Sequence, residues 1–220
     1  MTECAQGVIT KVEQQKRNKH RYNIYVDEQY AFAVHEDVVV ACRLIKGKEI
    51  HKEELKEILL EEERKKIEHA GNHYLSYRPR TIKEMRIHLQ QKGFEQKLIE
   101  GAIDGWLKRG YLDDRQFAQI WVKERLTFKN KGKSYIYEEL KQKGIAREWI
   151  EQALAQIEEE AELMACLESA RKKQRYLVEE DRTKGKAKLI SYLIRRGFSL
   201  EMSKQVYKQL VAEINEERTF

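Results

Sequence analysis

The sequence predicts a mainly α-helical protein in which three tandem three-helix repeats follow a small β-rich N-terminal module. A motif typical of a helix that stops at a glycine occurs three times along the chain. Proline occurs once in 220 residues, so few positions interrupt a helix. The first fifty residues instead show the alternation and the β-branched and aromatic enrichment that are typical of strands.

The repeated motif consists of two apolar residues four positions apart, a basic residue, a glycine and another apolar residue. Its copies are Met85-x-x-x-Leu89-x-x-Lys92-Gly93-Phe94, Ile136-x-x-x-Leu140-x-x-Lys143-Gly144-Ile145 and Leu189-x-x-x-Leu193-x-x-Arg196-Gly197-Phe198. The glycines lie 51 and then 53 residues apart. Apolar residues at i and i+4 share one helix face, and glycine supplies a left-handed stop. Each copy therefore predicts a helix, a tight turn and a second helix. A longer segment before each copy, at residues 67–77, 113–128 and 158–177, can supply a first helix, which gives three helices per repeat. Such repeats typically present surfaces to a partner.

The β-rich module is predicted from segments that have the pattern of a hairpin. The predicted strands are residues 7–14, 22–26 and 29–34, with the three valines at 38–40 as a further short strand. Asp27 and Glu28 form the two-residue break of the hairpin. The predicted core of this module consists of Val8, Val12, Tyr22, Ile24, Val26, Tyr30, Phe32 and Val34.

The division of the rest of the chain follows from the repeat. From Lys52 onward, apolar residues recur at helical spacing and an acidic-then-basic run follows them. The expected parts are a β-rich module at 1–50, a connecting helix at 51–70 and helical repeats at 71–112, 113–157 and 158–220. No helix breaker separates Ile145 from Leu177, yet the repeat predicts a break near residues 157–160.

Composition narrows the classes of protein to which the chain can belong. Charged residues make up 36% of it and no apolar run is long enough to span a bilayer, which argues against a membrane protein. The first residues lack the pattern of a signal peptide, so we expect a cytoplasmic location. The cysteines Cys4, Cys42 and Cys166 are scattered and odd in number, which favours buried thiols over disulfides or a zinc site.

Charge is distributed unevenly around the formal net value of +6. Residues 71–130 and 182–220 each carry +5, residues 158–181 carry −4 and residues 1–70 carry −1. Two basic zones around an acidic one fit a polyanionic partner, or a partner of alternating charge. Solvated helix faces explain the same pattern without a partner.

Candidate catalytic and metal-binding patterns are incomplete. Gly132-Lys133-Ser134 matches the end of a phosphate-binding loop, but Thr127 stands where that loop needs its first glycine and no strand precedes it. His69 and His73 are four residues apart on a predicted helix, yet no third metal ligand accompanies them. We therefore expect a protein that is not an enzyme and that has no cofactor or metal.

Basic residues gather at the corner before each motif helix. Thr81 and Glu84 have the spacing of a capping box, so Arg78 and Arg80 are expected beside a helix N-terminus, which favours anions. Contact with phosphate or an acidic protein surface, and bracing of neighbouring helices, explain these arginines equally well. The candidate partner-binding residues are Arg78, Arg80, Lys83, Arg86, Lys131, Lys133, Lys141, Lys143, Lys184, Lys186, Arg195 and Arg196. The residues assigned to packing are Phe94, Phe117, Ile145 and Phe198.

Three blocks of the sequence resemble the RecX family of regulators of the RecA recombinase. The blocks are Tyr74-Leu75-Ser76-Tyr77-Arg78-Pro79-Arg80-Thr81 with the first motif, Gly110-Tyr111-Leu112-Asp113-Asp114-x-x-Phe117-Ala118, and Gly132-Lys133-x-x-Ile136-x-x-Glu139-Leu140-x-x-Lys143-Gly144-Ile145. The resemblance covers residues 70–215, and the β-rich start is similar to the N-terminal extension of one branch of the family. The sequence departs from the family at two places. Lys133 follows Gly132 where the family often has proline. Ala70-Gly71 replaces a pair of residues with higher helix propensity before the first block, which is expected to weaken the first helix.

The resemblance implies three tandem three-helix repeats that bind in the groove of RecA filaments on single-stranded DNA. It implies that they limit filament growth, strand exchange, ATP hydrolysis and coprotease activity, and that some members also contact DNA. We expect a monomer. Two other functions fit the residues: a basic helical protein that binds single- or double-stranded DNA without a recombinase, and a scaffold for protein interactions.

Overall fold

The computed structural model describes residues 6–173 and 182–217, apart from the side chains of residue 182 and of residues 215–217. Over these residues the chain forms four strands followed by a long series of helices, with one short helix within the strand region. The predicted fold class is confirmed. The chain divides into two units, Met1–Arg78 with Met85–Tyr111 and Pro79–Glu84 with Leu112–Phe220.

The elements are numbered in chain order. The strands are β1 (Gly7–Gln14), β2 (Arg21–Val26), β3 (Gln29–His35) and β4 (Glu49–Ile50). The helices are α1 (Glu36–Ala41), α2 (Lys52–Tyr77), α3 (Ile82–Gln91), α4 (Gln96–Lys108), α5 (Asp114–Thr127), α6 (Lys133–Gln142), α7 (Arg147–Ala155), α8 (Glu159–Arg171), α9 (Arg182–Arg195) and α10 (Leu200–Glu217).

The four strands form one antiparallel sheet in the order β3-β2-β1-β4. Asp27 and Glu28 join β2 to β3 with φ angles of 46° and 66°. Two consecutive residues in the left-handed region produce the tight turn whose twist matches a hairpin. The predicted hairpin and its two-residue break are therefore confirmed.

The prediction of a strand at residues 38–40 is wrong, because these valines lie in α1. His35 caps this helix, since its Nδ1 accepts a hydrogen bond from the N–H of Asp37 over 3.3 Å. Glu36 and Asp37 place negative charge in the first turn, where the helix dipole favours it. Val38 is buried whereas Val40 is 75% exposed. Local capping thus outweighs the strand preference of the valines.

The core predicted for the β-rich module is correct in part. Ile24, Val26 and Val34 are buried, but Val8 is 41% exposed and Tyr30 is 57% exposed. Ile9 takes the buried place on β1. The remaining predicted core residues, Val12, Tyr22 and Phe32, are half-buried. The cause is irregular pairing between Ile9 and Lys11 and between Ile24 and Tyr25, because each irregularity interrupts the alternation of faces.

Helix α2 is continuous through Gly71, contrary to the weakening expected from Ala70-Gly71. The expected division between the connecting helix and the first repeat, at residue 70, lies inside this helix. The indole ring of Trp106 packs against the backbone here, since a Cβ on Gly71 would lie 2.1 Å from Trp106 Cη2. Trp106 Nε1 also donates to Asn72 Oδ1 over 2.9 Å. Earlier in α2, Leu55 and Ile58 belong to the hydrophobic core of the sheet. One helix thus joins the sheet to α4 within the first unit.

Each motif helix ends as the sequence predicts. The φ angles of Gly93, Gly144 and Gly197 are 83°, 84° and 93°. The N–H of the residue after each glycine donates to the carbonyl five residues earlier: Phe94 to Leu89, Ile145 to Leu140 and Phe198 to Leu193. This bond closes a Schellman turn, and the apolar residue that donates it begins the next packed face.

The second unit contains two hydrophobic clusters. One comes from α5, α6 and α7 and includes Phe117 and Ile145, and the other comes from α8, α9 and α10 and includes Phe198. These three residues therefore pack as predicted, and Phe94 in the first unit is half-buried. The predicted break is also confirmed, because α7 ends at Ala155 and α8 begins at Glu159.

The start of α6 docks on the turn that ends α9. The N–H groups of Gly132 and Ser134 donate to the carbonyl oxygens of Arg196 and Gly197 over 2.9 and 3.2 Å. A Cβ on Gly132 would lie 2.4 Å from the Gly197 backbone, so the approach requires a residue without a side chain. The N–H groups at the start of α6 and the carbonyl oxygens at the end of α9 have no hydrogen-bond partner within their own helices, and here they bond to each other.

The start of α3 docks on the end of α6 in a similar way. Thr81 Oγ1 accepts from the N–H of Glu84 over 3.1 Å, and Glu84 Oε2 accepts from the N–H of Thr81 over 3.4 Å. These bonds confirm the predicted capping box. The Thr81 hydroxyl also donates to the carbonyl of Lys143 over 2.9 Å. Thr81, although polar, is fully buried by this contact.

We expect Gly71→Ala to lower the free energy of unfolding by about 1–3 kcal/mol, because the added methyl group collides with the Trp106 ring. Gly101→Ala is the matched control, since Gly101 also lies inside a helix and its Cβ would meet nothing within 4 Å. That change should stabilise the chain by about 0.5–1 kcal/mol. Urea unfolding followed by circular dichroism measures both. Equal effects of the two changes would contradict the close approach of the indole.

We expect Gly132→Ala to destabilise the second unit by about 2 kcal/mol, because the colliding atoms belong to the Gly197 backbone and cannot rotate away. The φ of Gly132 is −81°, which alanine adopts readily, so the loss reports the collision. Hydrogen exchange should also show a faster-exchanging Ser134 amide. An unchanged Ser134 amide and a stability equal to that of wild type would refute the docking of α6 on α9.

Candidate partner-binding surface

The twelve predicted partner-binding cations divide into two groups by exposure. The exposed side chains are those of Arg78, Lys83, Lys141, Lys184, Lys186 and Arg195. The half-buried ones are those of Arg80, Arg86, Lys131, Lys133, Lys143 and Arg196. For Arg78 and Arg80 the sequence left contact with a partner and bracing of helices as equal explanations. The surroundings of the two groups of cations differ in which explanation they favour.

Lys143 lies in a pocket of the second unit formed by an acid and an aromatic ring. Its Nζ is 2.6 Å from Glu84 Oε1 and 4.4 Å from the centre of the Trp121 ring. Arg125 lies over the same ring at 3.8 Å and pairs with Glu139 over 2.7 Å. Partly buried charges with such partners contribute to stability, so Lys143 helps to hold the start of α3 on the end of α6.

Arg86 pairs with a carboxylate of the next helix. Its Nε and one terminal nitrogen donate to the two oxygens of Glu100 over 2.7 and 2.8 Å. These hydrogen bonds hold the pKa of Glu100 below its usual value. The fork geometry fixes α3 against α4 within the first unit.

Lys133 binds within its own unit and not in a phosphate-binding loop. Its Nζ donates to the carbonyl of Ile157 over 3.2 Å and lies 3.4 Å from Glu162 Oε2, while its backbone N–H donates to Glu162 Oε1 over 2.9 Å. The carboxylate of Glu162 therefore occupies the helix N-terminus that an anion would need. The Gly-Lys-Ser sequence at this position has a structural role.

Arg196 braces the turn that follows α5. Its guanidinium donates to the carbonyls of Lys129 and Asn130, the second over 2.8 Å. Asn130 has a φ of 49°, so the turn is held in a conformation that few residues adopt. In the same turn, Lys131 Nζ lies 3.4 Å from the centre of the Tyr135 ring.

Four of the exposed cations make few internal contacts. Among the described residues, the side chains of Lys141 and Arg195 make no hydrogen bond or ion pair. Lys83 Nζ donates to the carbonyl of Gln142 over 2.9 Å, and Lys186 Nζ lies 5.4 Å from the centre of the Tyr207 ring. These side chains can reach a partner without breaking a buried contact.

Sequence reasoning missed the internal partners of the half-buried cations. They are the carboxylates of Glu84, Glu100 and Glu162 and the carbonyls at the turns after α5 and α7. One sequence signal could have indicated these partners: the basic residue directly before the glycine in each motif. A residue at that position lies at the end of the helix, where a docking segment can surround it. The neighbouring residues in the sequence do not indicate that another segment packs over this basic residue.

The described residues offer neither an activated thiol nor a metal site. Burial raises the pKa of the Cys166 thiol to about 12 and also raises that of Cys42, so both thiols are poor nucleophiles. No group of three His, Cys, Asp or Glu in the described ranges could hold a metal ion. None of the helices seen there has both the length and the apolar character to cross a membrane.

Four family profiles together match most of the chain. The match described as the regulatory protein RecX N-terminal domain covers residues 7–51. The first, second and third RecX three-helix domains match residues 72–104, 113–154 and 159–207. These ranges follow the sheet and the three helical groups in order.

Relatives named Regulatory protein RecX match most of the chain. The one from Clostridioides difficile strain 630 is 33% identical over 205 residues, which cover 93% of this chain and 96% of that protein. The one from Halalkalibacterium halodurans is 31% identical over 215 residues, covering 96% of this chain and 81% of the relative. A solved structure described as the crystal structure of regulatory protein RecX aligns with a TM-score of 0.75 at 30% identity, over 91% of this chain and 98% of that one. The chain therefore belongs to the RecX family of regulatory proteins, which is not a known enzyme family.

Proposed function

We propose that this chain regulates the RecA recombinase in the cytoplasm by binding RecA filaments on single-stranded DNA, in the filament groove. Binding there limits filament growth, strand exchange, ATP hydrolysis and coprotease activity. Membership of the RecX family supports the partner, because the relatives carry the name of that regulatory protein. The single structural observation behind the binding mode is the set of exposed cations on the motif helices and at their starts.

The proposed contact surface consists of the six exposed cations, which we call the exposed set: Arg78, Lys83, Lys141, Lys184, Lys186 and Arg195. They come from helices of all three repeats, so one chain can make several contacts with a repeating partner. Each exposed charge contributes little alone, but linked contacts raise the overall affinity by orders of magnitude. The half-buried cations contribute by holding the helices in register.

We expect the double variant Lys141→Glu/Arg195→Glu to need about ten times more protein than wild type for half-inhibition of RecA ATPase on single-stranded DNA. Attraction to an acidic partner surface becomes repulsion at two places. Because neither side chain bonds to another described residue, the variant should melt at the wild-type temperature. Lys204→Glu/Lys208→Glu is the matched control, since both lysines are exposed on α10 outside the exposed set.

The possible results distinguish an error in the proposed contact surface from an error in the proposed function. If wild type inhibits and both double variants inhibit equally well, the exposed set is not the contact surface. If wild type has no effect on RecA at physiological salt, the proposed function is wrong. Inhibition that occurs only after the protein has coated the DNA would favour a DNA-binding protein that needs no recombinase.

A further inference from the structure

A cavity of about 620 Å³ lies in the first unit, between the sheet and helices α2 and α3. Five of the six histidines of the chain line it: His20, His35, His69, His73 and His88. The β-rich module supplies the first two, α2 supplies the next two and α3 supplies the last. A volume of this size accommodates a small organic molecule or one unit of a larger ligand.

Aromatic rings dominate one part of this histidine-lined cavity. Tyr74 and His88 stack with ring centres 3.9 Å apart and planes 8° apart. His73 and Tyr77 meet edge to face at 5.1 Å, and the Tyr77 side chain is 69% exposed. Flat rings at the mouth of a cavity suit a planar ligand, because the heterocyclic bases of nucleic acids stack on them with little dependence on sequence.

The charge of the cavity favours an anion. Among the lining residues Glu62 is the carboxylate, and it is buried, with Arg21 2.9 Å away and with the N–H of His35 donating to it over 2.7 Å. That charge is therefore balanced inside the protein. Lys65, Lys66 and Lys92 add positive charge to the lining. Lys65 and Lys66 also pair with carboxylates of α2, whereas Lys92 lies exposed after α3.

The positive charge continues beyond the cavity along the β1–β2 loop. This loop contributes Asn18 and His20 to the lining. It also carries Lys16, Arg17 and Lys19, all with exposed side chains. Charge that extends past a cavity of this size fits successive phosphates of a strand better than the single phosphate group of a free nucleotide.

We propose that the histidine-lined cavity is a binding site for single-stranded nucleic acid. One base enters the cavity and stacks at the Tyr74, Tyr77 and His88 rings, while neighbouring phosphates contact Lys92 and the β1–β2 loop. Stacking and phosphate contacts together give affinity without reading the base sequence. Four of the six residues of the exposed set lie far from this site in the sequence, whereas Arg78 and Lys83 fall between Tyr77 and His88. The inference does not depend on binding to RecA.

The test is fluorescence anisotropy of a labelled oligothymidylate titrated with the full chain, without recombinase, at several salt concentrations. Lys19→Glu/Lys92→Glu should weaken binding about tenfold and make the salt dependence shallower, because phosphate contacts are lost. Tyr77→Ala should weaken binding about fivefold with the salt dependence unchanged, and Tyr77→Phe should bind like wild type, because stacking needs the ring and not the hydroxyl. Lys56→Glu/Lys108→Glu is the matched control, with two exposed lysines of the first unit outside the cavity.

Thermal melting establishes that each variant is folded, and ultraviolet crosslinking to a strand with 5-iodouracil gives an independent readout. Crosslinks within residues 73–92, lost in Tyr77→Ala, support the site. Equal weakening by the cavity variants and by the control would overturn it, since net charge alone would then explain binding. Thymidine monophosphate that competes as well as the strand would also overturn it in favour of a free nucleotide. Unchanged strand binding in every cavity variant would place the contact elsewhere, whatever the outcome with RecA.

Discussion

The docking of helix ends on glycine turns is the contact on which the second unit depends. The first N–H groups of a helix and the last carbonyls have no partner inside it, and burying either without a hydrogen bond is costly. At the start of α6 and the end of α9 these two sets bond to each other, and the positive end of one helix dipole meets the negative end of the other. The contact needs a close backbone approach, which explains the glycines at 132 and 197.

This docking also explains why basic residues that look alike in the sequence have different surroundings. Lys143 and Arg196 directly precede the glycines, so the segments that dock on the turns surround their side chains. Lys141 and Arg195 lie slightly earlier on the same helices and remain exposed. The repeat therefore carries two sets of cations, one that stabilises the packing of successive helices and one whose side chains are exposed.

In the first unit, α2 connects two kinds of structure. Leu55 and Ile58 belong to the core of the sheet, and Gly71 lets α2 approach Trp106 of α4 closely. Because one helix spans both regions, the sheet and α3 are held near the same side of α2, with the histidine-lined cavity between them. The buried Glu62 ties α2 to β2 and β3 through Arg21 and the backbone of His35. The β-rich module therefore shapes a site as well as a hydrophobic core.

The sequence by itself determined the features that depend on neighbouring residues: the motif helices, their glycine stops, the capping box at Thr81 and the hairpin at Asp27-Glu28. Each follows from a dihedral preference or from side chains within a few positions. Tertiary structure decided the rest. Irregular strand pairing put Ile9 and not Val8 in the core. Docking between helices half-buried Lys143 but left Lys141 exposed, and folding placed His20 and His88 in the lining of one cavity. These outcomes depend on contacts between distant segments, whose free energy exceeds local preference and leaves no mark in a local pattern.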